Sequence, residues 1–375
     1  MSPSPKVAII YLTYHGKDSY TDITRCFQSL ERITYPKDAM EVICVENPSP
    51  HGASWLFIER EWMTRVGTTF PKLSIIRNER DLGYSGANDV GLEAAIVKGC
   101  EYVFLLNQDA DVDPEFLSAA VHRAEGDPTI GFVQSLVLLG KERDRVNSVG
   151  NRYHFLGFGY SGGYRWTRTD AERFLAGERV HNPDLEVPTF SGAAVLVRVA
   201  MAKEIGLFDA RFYMYHEDID ATFNARIHGW KSVIEPASIV YHYYQFSKSI
   251  KKFYWMERNR FVVNLTYYKA PTLTLLAIPF FGVELISLIL SFRSGWWREK
   301  LRAWAFFWHW SSWTWVSARR ARAQRERKIS DRAFFRWAES RILFQEGAAG
   351  GGLITRIANP LMAVTWKMLY FLIRW

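Results

Sequence analysis

The chain has 375 residues, 48% hydrophobic content and a formal net charge of +8, which excludes a disordered chain and admits two or so domains. Its three cysteines, Cys26, Cys44 and Cys100, lack metal-ligand spacing and read as buried thiols in a reducing compartment. The first apolar run, Val7 to Leu12, is too short for a signal peptide, so the N-terminal part is expected to stay in the cytoplasm.

Val7–Leu12, Glu41–Glu46, Leu73–Arg77 and Tyr102–Leu106 read as strands, separated by segments with helical spacing such as Leu92, Ala95 and Ile96. Repeated βα units predict an α/β fold with a parallel sheet. Polar turns follow the first two strands, Thr13-Tyr14-His15-Gly16 and Asn47-Pro48-Ser49-Pro50. Such turns hold a nucleotide base and ribose in some α/β proteins and are ordinary connections in others. The third turn, Arg77 to Asn88, sets Gly83, Gly86 and several amides ahead of a helix. It is either a phosphate-binding loop or a plain Gly-rich one.

The fourth strand ends in Asn107-Gln-Asp109-Ala-Asp111-Val-Asp113, and Pro114 is expected to open a helix. Clustered carboxylates at a strand end either share a divalent cation or form a solvated acidic turn that caps the helix. Residues 139–187 are rich in Gly and aromatics, including Phe155, Phe158 and Tyr160, without clear periodicity. They read as a substrate loop, whose aromatic faces suit sugars or lipid, or as a surface excursion with a small core of its own. Thr189–Arg198 returns to strand character, and a helix follows through Ile205. A second acidic cluster, Glu217-Asp218-Ile-Asp220, opens a helix expected to stop at Gly229. Backbone N–H groups there stabilise ionised carboxylates, which suits a general base or plain capping. Ser232–Glu235 and Ala237–Tyr243 are the last strand-like runs and end beside His242.

Pro271 to Phe292 contains a single charge, Glu284. It is long enough to cross a bilayer core of about 30 Å, although its prolines, glycine and Glu also fit shallow insertion or a re-entrant hairpin. Residues 293–330 hold ten Lys or Arg against two Glu, and residues 296–315 contain seven tryptophans. This pattern suits a membrane interface with anionic headgroups and argues against nucleic acid. Arg298, Lys300 and Arg302 flank the tryptophans. Gly347–Gly352 reads as a flexible link and 353–375 as a surface-lying amphipathic helix.

Taken in order, Tyr11–Tyr14, Glu46–Ser49, Arg77–Asn88, Asn107–Asp109, Ser191–Ala193, Phe208–Phe212, Glu217-Asp218 and Arg258–Arg260 resemble glycosyltransferase family 2, especially its rhamnosyltransferase-like members. The resemblance implies a GT-A fold over residues 1–265, a Rossmann-like nucleotide-sugar-binding mixed sheet. A helical membrane-associated region, 266–375, follows: apolar 271–292, Trp/Arg-rich 293–330 and amphipathic 353–375. It further implies that Thr13, Tyr14, Glu46, Asn47, Arg77, Asn78, Gly83, Asn88 and Asn107 bind a UDP-, dTDP- or GDP-sugar. Asp109, Asp111 and His242 would hold Mg2+ or Mn2+, and Asp218, with Glu217 beside it, would supply the catalytic base.

The family's acidic signature aligns either as Asn107-Gln-Asp109 or as Asp109-Ala-Asp111, and only Asp109 serves both. Glu46-Asn47 stands where the family often has Asp-Asn. The Gln-x-x-Arg-Trp motif of processive members has only the partial counterpart Ala333–Trp337, so processive polymerisation is not expected. The implied activity is inverting sugar transfer to a lipid-linked saccharide at the cytoplasmic face of the cell membrane. Transfer directly to polyprenyl phosphate and a non-catalytic, nucleotide-sugar-binding scaffold are the alternatives.

Overall fold

Each of the four early apolar runs is a strand in the computed structural model, which describes residues 4–243, 251–342, 356 and 358–375. They are β1 (Val7–Tyr14), β2 (Met40–Asn47), β3 (Lys72–Arg77) and β4 (Tyr102–Leu106), alternating with α1 (Ser19–Glu31), α2 (Trp55–Trp62) and α3 (Gly83–Val97). All of β4 is buried, as a continuous apolar run covered on both faces requires. The chain folds as two compact units, residues 1–151, 161–213 and 230–244, and residues 152–160, 214–229 and 245–375. They do not follow the expected boundary at 265, because two inner segments group with the C-terminal region.

The first unit continues through β5 (Ala110–Val112), α4 (Phe116–Glu125), β6 (Ile130–Leu139) and β7 (Val146–Ser148). A short two-stranded sheet, β8 (Asn151–Tyr153) and β9 (Gly159–Ser161), precedes α5 (Arg168–Glu178), β10 (Ala194–Arg198), α6 (Val199–Ile205) and, later, β11 (Lys231–His242). The main sheet has the order β3-β2-β1-β4-β10-β6-β11-β5, with β7 beside β6. β1 to β4 are parallel, but β10 runs antiparallel to β4 and β6. The sheet is therefore mixed, not the purely parallel one that βα units alone imply. β10 follows a long excursion instead of a βα crossover, so nothing constrains it to run parallel.

Three local differences from the sequence reading have simple causes. α4 starts at Phe116 after Glu115, two residues beyond Pro114, because Asp113 closes a turn there, accepting the Glu115 N–H on its carboxylate and the Phe116 N–H on its carbonyl. The two late strands fuse into β11, whose register shift between Glu235 and Ile239 accommodates Pro236. The 139–187 excursion carries its own small core, in which Ala171, Leu175, Leu185 and Val187 pack with Leu136 and Leu138. Within it, Thr167 Oγ1 accepts the Asp170 N–H to start α5.

The second unit holds α7 (Glu217–His228), α8 (Lys252–Tyr267), α9 (Ala270–Arg293), α10 (Trp297–Ala305), α11 (Trp310–Glu326), α12 (Asp331–Phe334) and a last helix, Asn359–Leu372. The apolar segment is one continuous 24-residue helix, α9, with Pro279 inside it and no hairpin. Only 11% of its most apolar 18-residue stretch is buried, unlike the core helix of a soluble domain. Its Glu284 does not face outward. The carboxylate pairs with Arg260, lies 2.7 Å from Lys300 Nζ and accepts from Trp304 Nε1 at 3.0 Å.

The same two cations bind Glu257, Arg260 at 2.9 Å and Lys300 at 2.5 Å, making a closed buried quartet of two acids and two bases. Burial alone would push the Glu257 carboxyl up, but the Arg260 and Lys300 charges outweigh it and hold it at about 2. Lys300 is fully buried. Its expected place among the headgroup-facing cations is corrected, since its partners lie in α8 and α9. Arg319 likewise pairs with Asp220, and Arg320 donates to the Leu265 and Tyr268 carbonyls. The expected link at 347–352 lies outside the described residues.

Candidate active site

The site candidates of the first unit stand at the C-terminal ends of β1, β2 and β4, because the parallel register aligns Thr13 with Glu46 and Tyr14 with Asn47. Thr13 Oγ1 donates to Glu46 Oε2 at 3.4 Å, and the Ser54 N–H donates to Glu46 Oε1 at 2.7 Å. Burial raises the Glu46 carboxyl, and these donors work against that rise. Asn47 is consumed by loop construction: its Nδ2 donates to Gly83 O, and its Oδ1 accepts from Asn78 Nδ2 at 2.9 Å and from the Leu82 N–H. The structure thus brings Asn47, Asn78 and Gly83 into one network. Arg77 lies over the Trp55 ring at 4.3 Å, and Asn88 donates to Tyr84 O within α3. The Tyr14 N–H donates to Gln108 Oε1, whose Nε2 donates to Ser19 Oγ.

Gly83 has φ of +65°, and a Cβ there would stand 2.3 Å from Tyr213 O. Side-chain growth at this turn is blocked twice, by backbone conformation and by contact. Gly83→Ala is expected to destabilise the protein by about 1–3 kcal/mol, measured by denaturant unfolding. An unchanged midpoint would show that the Tyr213 loop yields freely.

The acidic strand end divides. Asp109 Oδ1 lies 3.1 Å from His242 Nε2, and Asn107 Nδ2 is 3.4 Å from the same nitrogen. β11 delivers His242 by pairing it with Ala110. His242 Nδ1 is 3.2 Å from Asn147 Oδ1, so Asn147 and Asp109 hold the ring from its two nitrogens, and with Nδ1–H donated to Asn147 the ring would offer Nε2 to a metal ion. A carboxylate oxygen and an imidazole nitrogen side by side form an O,N donor set that fits Mn2+.

Asp111 is not brought to this pair. Its carboxylate receives Arg143 at 2.9 and 3.1 Å and Tyr243 Oη at 3.2 Å, with Arg25 at 3.8 Å. Among the described residues no three His, Cys, Asp or Glu side chains group as a metal cluster, so the three-residue set of Asp109, Asp111 and His242 is not assembled. Asn147 and Gln108 were not among the candidates from sequence. Only the spacing of Gln108 within Asn107-Gln-Asp109 marked it, and Asn147 carried no signal.

In the second unit, a loop with positive φ at Tyr215 and His216 leads into Glu217-Asp218. Such backbone costs of order 1–3 kcal/mol per residue. Asn259 of α8 offsets that cost by donating Nδ2 to the Met214 and Tyr215 carbonyls at 3.0 and 2.7 Å. Asp218 is partly exposed, and its Oδ1 accepts the Ile219 N–H at 2.8 Å. Glu217 behaves differently from the ionised helix cap expected of it. Burial, then the adjacent Asp218 charge, raises its carboxyl well above the usual range, and its Oε2 has no hydrogen-bond partner among the described residues.

A mixed sheet in this strand order, with polar turns and an acid at the strand ends, is the GT-A arrangement. The chain belongs to glycosyltransferase-like family 2, whose model matches residues 3–264. It is similar to an N-acetylglucosaminyl-diphospho-decaprenol L-rhamnosyltransferase of Mycobacterium tuberculosis, 24% identical over 218 residues, 54% of this chain and 66% of the relative. It is also similar to glucomannan 4-beta-mannosyltransferase 7 of Arabidopsis thaliana, 25% identical over 56% of this chain and 35% of the relative. The chain thus spans only part of the curated relatives it matches.

Among solved structures, the mannosyltransferase PcManGT from Pyrobaculum calidifontis, in complex with GDP-Man and Mn2+, superposes with a TM-score of 0.52. The alignment is 17% identical and covers 98% of this chain and 86% of that one. GalNAc-T7 with UDP, GalNAc and Mn2+ gives 0.56 at 14% identity, over 72% and 49%.

Proposed function

We propose that the protein transfers a sugar from a nucleoside-diphosphate sugar to a hydroxyl of a membrane lipid-linked saccharide, with inversion at the anomeric carbon. The observation that carries this reading is the Asp109–His242 pair at the strand ends, beside the Asn47–Asn78–Gly83 network. In this reading Thr13, Tyr14, Glu46 and Asn78 form the base and ribose side of the donor site. Asn47 holds the loop, Arg77, Gly83 and Asn88 form its phosphate side, and Asn107 completes it beside His242. Asp109 and His242 would hold a divalent ion, Mn2+ or Mg2+, which when bound offsets charge on the leaving diphosphate.

Asp218 removes the proton of the acceptor hydroxyl as that oxygen bonds to the anomeric carbon. The bond from that carbon to the diphosphate oxygen breaks, and the nucleoside diphosphate departs with the electron pair. Glu217 lies buried beside Asp218, where burial and that residue's charge both disfavour a second negative charge. Asp111 is assigned to fold support through Arg143.

The lipid-linked acceptor is supported by α9, a 24-residue apolar helix with Ile278 85% and Phe281 72% exposed, and by Trp308 and Trp310, 87% and 81% exposed just before and at the start of α11. The name of the mycobacterial relative, which carries a diphospho-decaprenol, agrees. We place the chain at the cytoplasmic face of the membrane, where nucleotide sugars are available.

A thermal-shift screen with UDP-, GDP- and dTDP-sugars plus Mn2+ tests the donor reading. One nucleotide class is expected to raise Tm, and no response to any would remove it. Asn147→Leu is expected to lower Mn2+ affinity about 10–100-fold, read by electron paramagnetic resonance titration, and an unchanged affinity would detach Asn147 from the site.

A further inference from the structure

The second unit contains a cavity of about 550 Å³ that the chemistry above does not use. Its size falls in the range of about 300–1,000 Å³ usual for small-molecule sites. Its walls include the aromatic stretch with Phe155 and Phe158, α8 with Phe253, α9 with Ile278 and Ile286, and the last helix with Met362. The charged lining groups, Glu257 and Arg260, are already neutralised within the buried quartet. An apolar void with its charges cancelled offers nothing to a sugar or a nucleotide and suits a hydrocarbon.

Two further facts select which hydrocarbon. Ile278 and Ile286 line the cavity and are also exposed on α9, so its wall continues into the apolar face that carries Phe281, Leu285 and Ile289. A chain dissolved in a bilayer reaches it without crossing water. The wall also includes His216, the residue directly before Glu217-Asp218. Its Nε2 is 3.0 Å from the Gly157 carbonyl, within the aromatic stretch. A lipid seated here is held two residues from the proposed base.

We infer that this cavity is the berth of the polyprenyl tail of the acceptor lipid. The inference rests on the acceptor reading above and adds where its tail is held. It also gives a use to the aromatic stretch, whose rings pack against lipid instead of sugar. A Cβ at Gly282, which lines the cavity, would meet nothing within 4 Å, so a large side chain there fills the void without a clash at its root.

The test uses the full chain in phospholipid nanodiscs with a diazirine-bearing polyprenyl phosphate. Crosslinks are expected on peptides carrying Phe158 and Met362. They should fall at least ten-fold in Gly282→Trp and in Ser287→Phe, with Tm held near wild type, and unlabelled polyprenyl phosphate should compete where added phospholipid does not. Labelling that is unchanged in both variants, maps elsewhere or is displaced equally by phospholipid overturns the inference. Sugar transfer is measured on the same samples. A chain that labels the cavity yet transfers nothing sinks the acceptor reading and leaves the berth, and one that transfers without labelling does the reverse.

Discussion

Asp218→Asn is expected to reduce sugar transfer by about 10²–10⁴-fold, the usual contribution of a positioned general base, while donor affinity stays within two-fold or so. The amide keeps the shape and can still accept the Ile219 N–H that orients Asp218 Oδ1, but it cannot take a proton. The donor residues proposed here lie on β1, β2, β3 and α3, in the loop between β3 and α3 and just after β4, outside the 214–229 segment. Glu217→Gln is the matching control. Burial and the Asp218 charge both disfavour ionised Glu217, so a neutral amide of the same shape should preserve most activity. Wild-type turnover in Asp218→Asn would remove it from the role, and equal losses in both variants would mean that the loop, not the carboxylate, was damaged.

Arg260→Met is expected to destabilise the protein by about 3–5 kcal/mol, the cost of breaking a buried ion pair from one side. It leaves Glu257 and Glu284 facing a single cation, Lys300. Adding Glu284→Leu should recover part of the loss, because the remaining Glu257–Lys300 pair is then balanced. The pH dependence follows from the depressed Glu257 carboxyl. Its contribution to stability is complete above its ordinary value of 4.5 and is lost as pH falls through about 2. In Arg260→Met the acid limb of stability should begin at higher pH. Denaturation of the detergent-solubilised chain at pH 3, 5 and 7 measures both effects, and an acid limb that does not move would separate Glu257 from Arg260.

The strands nearest the donor site were legible because β1, β2 and β4 carry uninterrupted apolar runs ending in polar turns, and β3, broken only by Ser74, repeats their spacing. β6 was not, although all ten of its residues are buried. Gln134 and Ser135 break its apolar pattern, and they are tolerated because Gln134 Oε1 accepts the Ser191 N–H and Ser135 bonds Ser238. The same limit separated Asp109 from Asp111. Two residues apart, they carry identical local signals, and only tertiary partners, His242 for one and Arg143 for the other, tell them apart. Lys300 was misread for that reason. A lysine amid tryptophans and arginines resembles a headgroup contact until Glu257 and Glu284 appear beside it. In α9, Pro279 and Glu284 argued against a spanning helix. The structure keeps the helix whole through the proline and gives the acid two cations.

The central claim is donor-dependent, metal-dependent transfer onto a lipid-linked acceptor with inversion. Its most direct measurement incubates membranes carrying the protein with a radiolabelled nucleotide sugar and Mn2+. The lipid extract is then analysed for label, and the new glycosidic bond is assigned by NMR. The account predicts label in a lipid-linked saccharide, with anomeric configuration opposite to the donor's and loss of signal with EDTA. Label released only as free sugar, or a product that retains the donor's configuration, would contradict it.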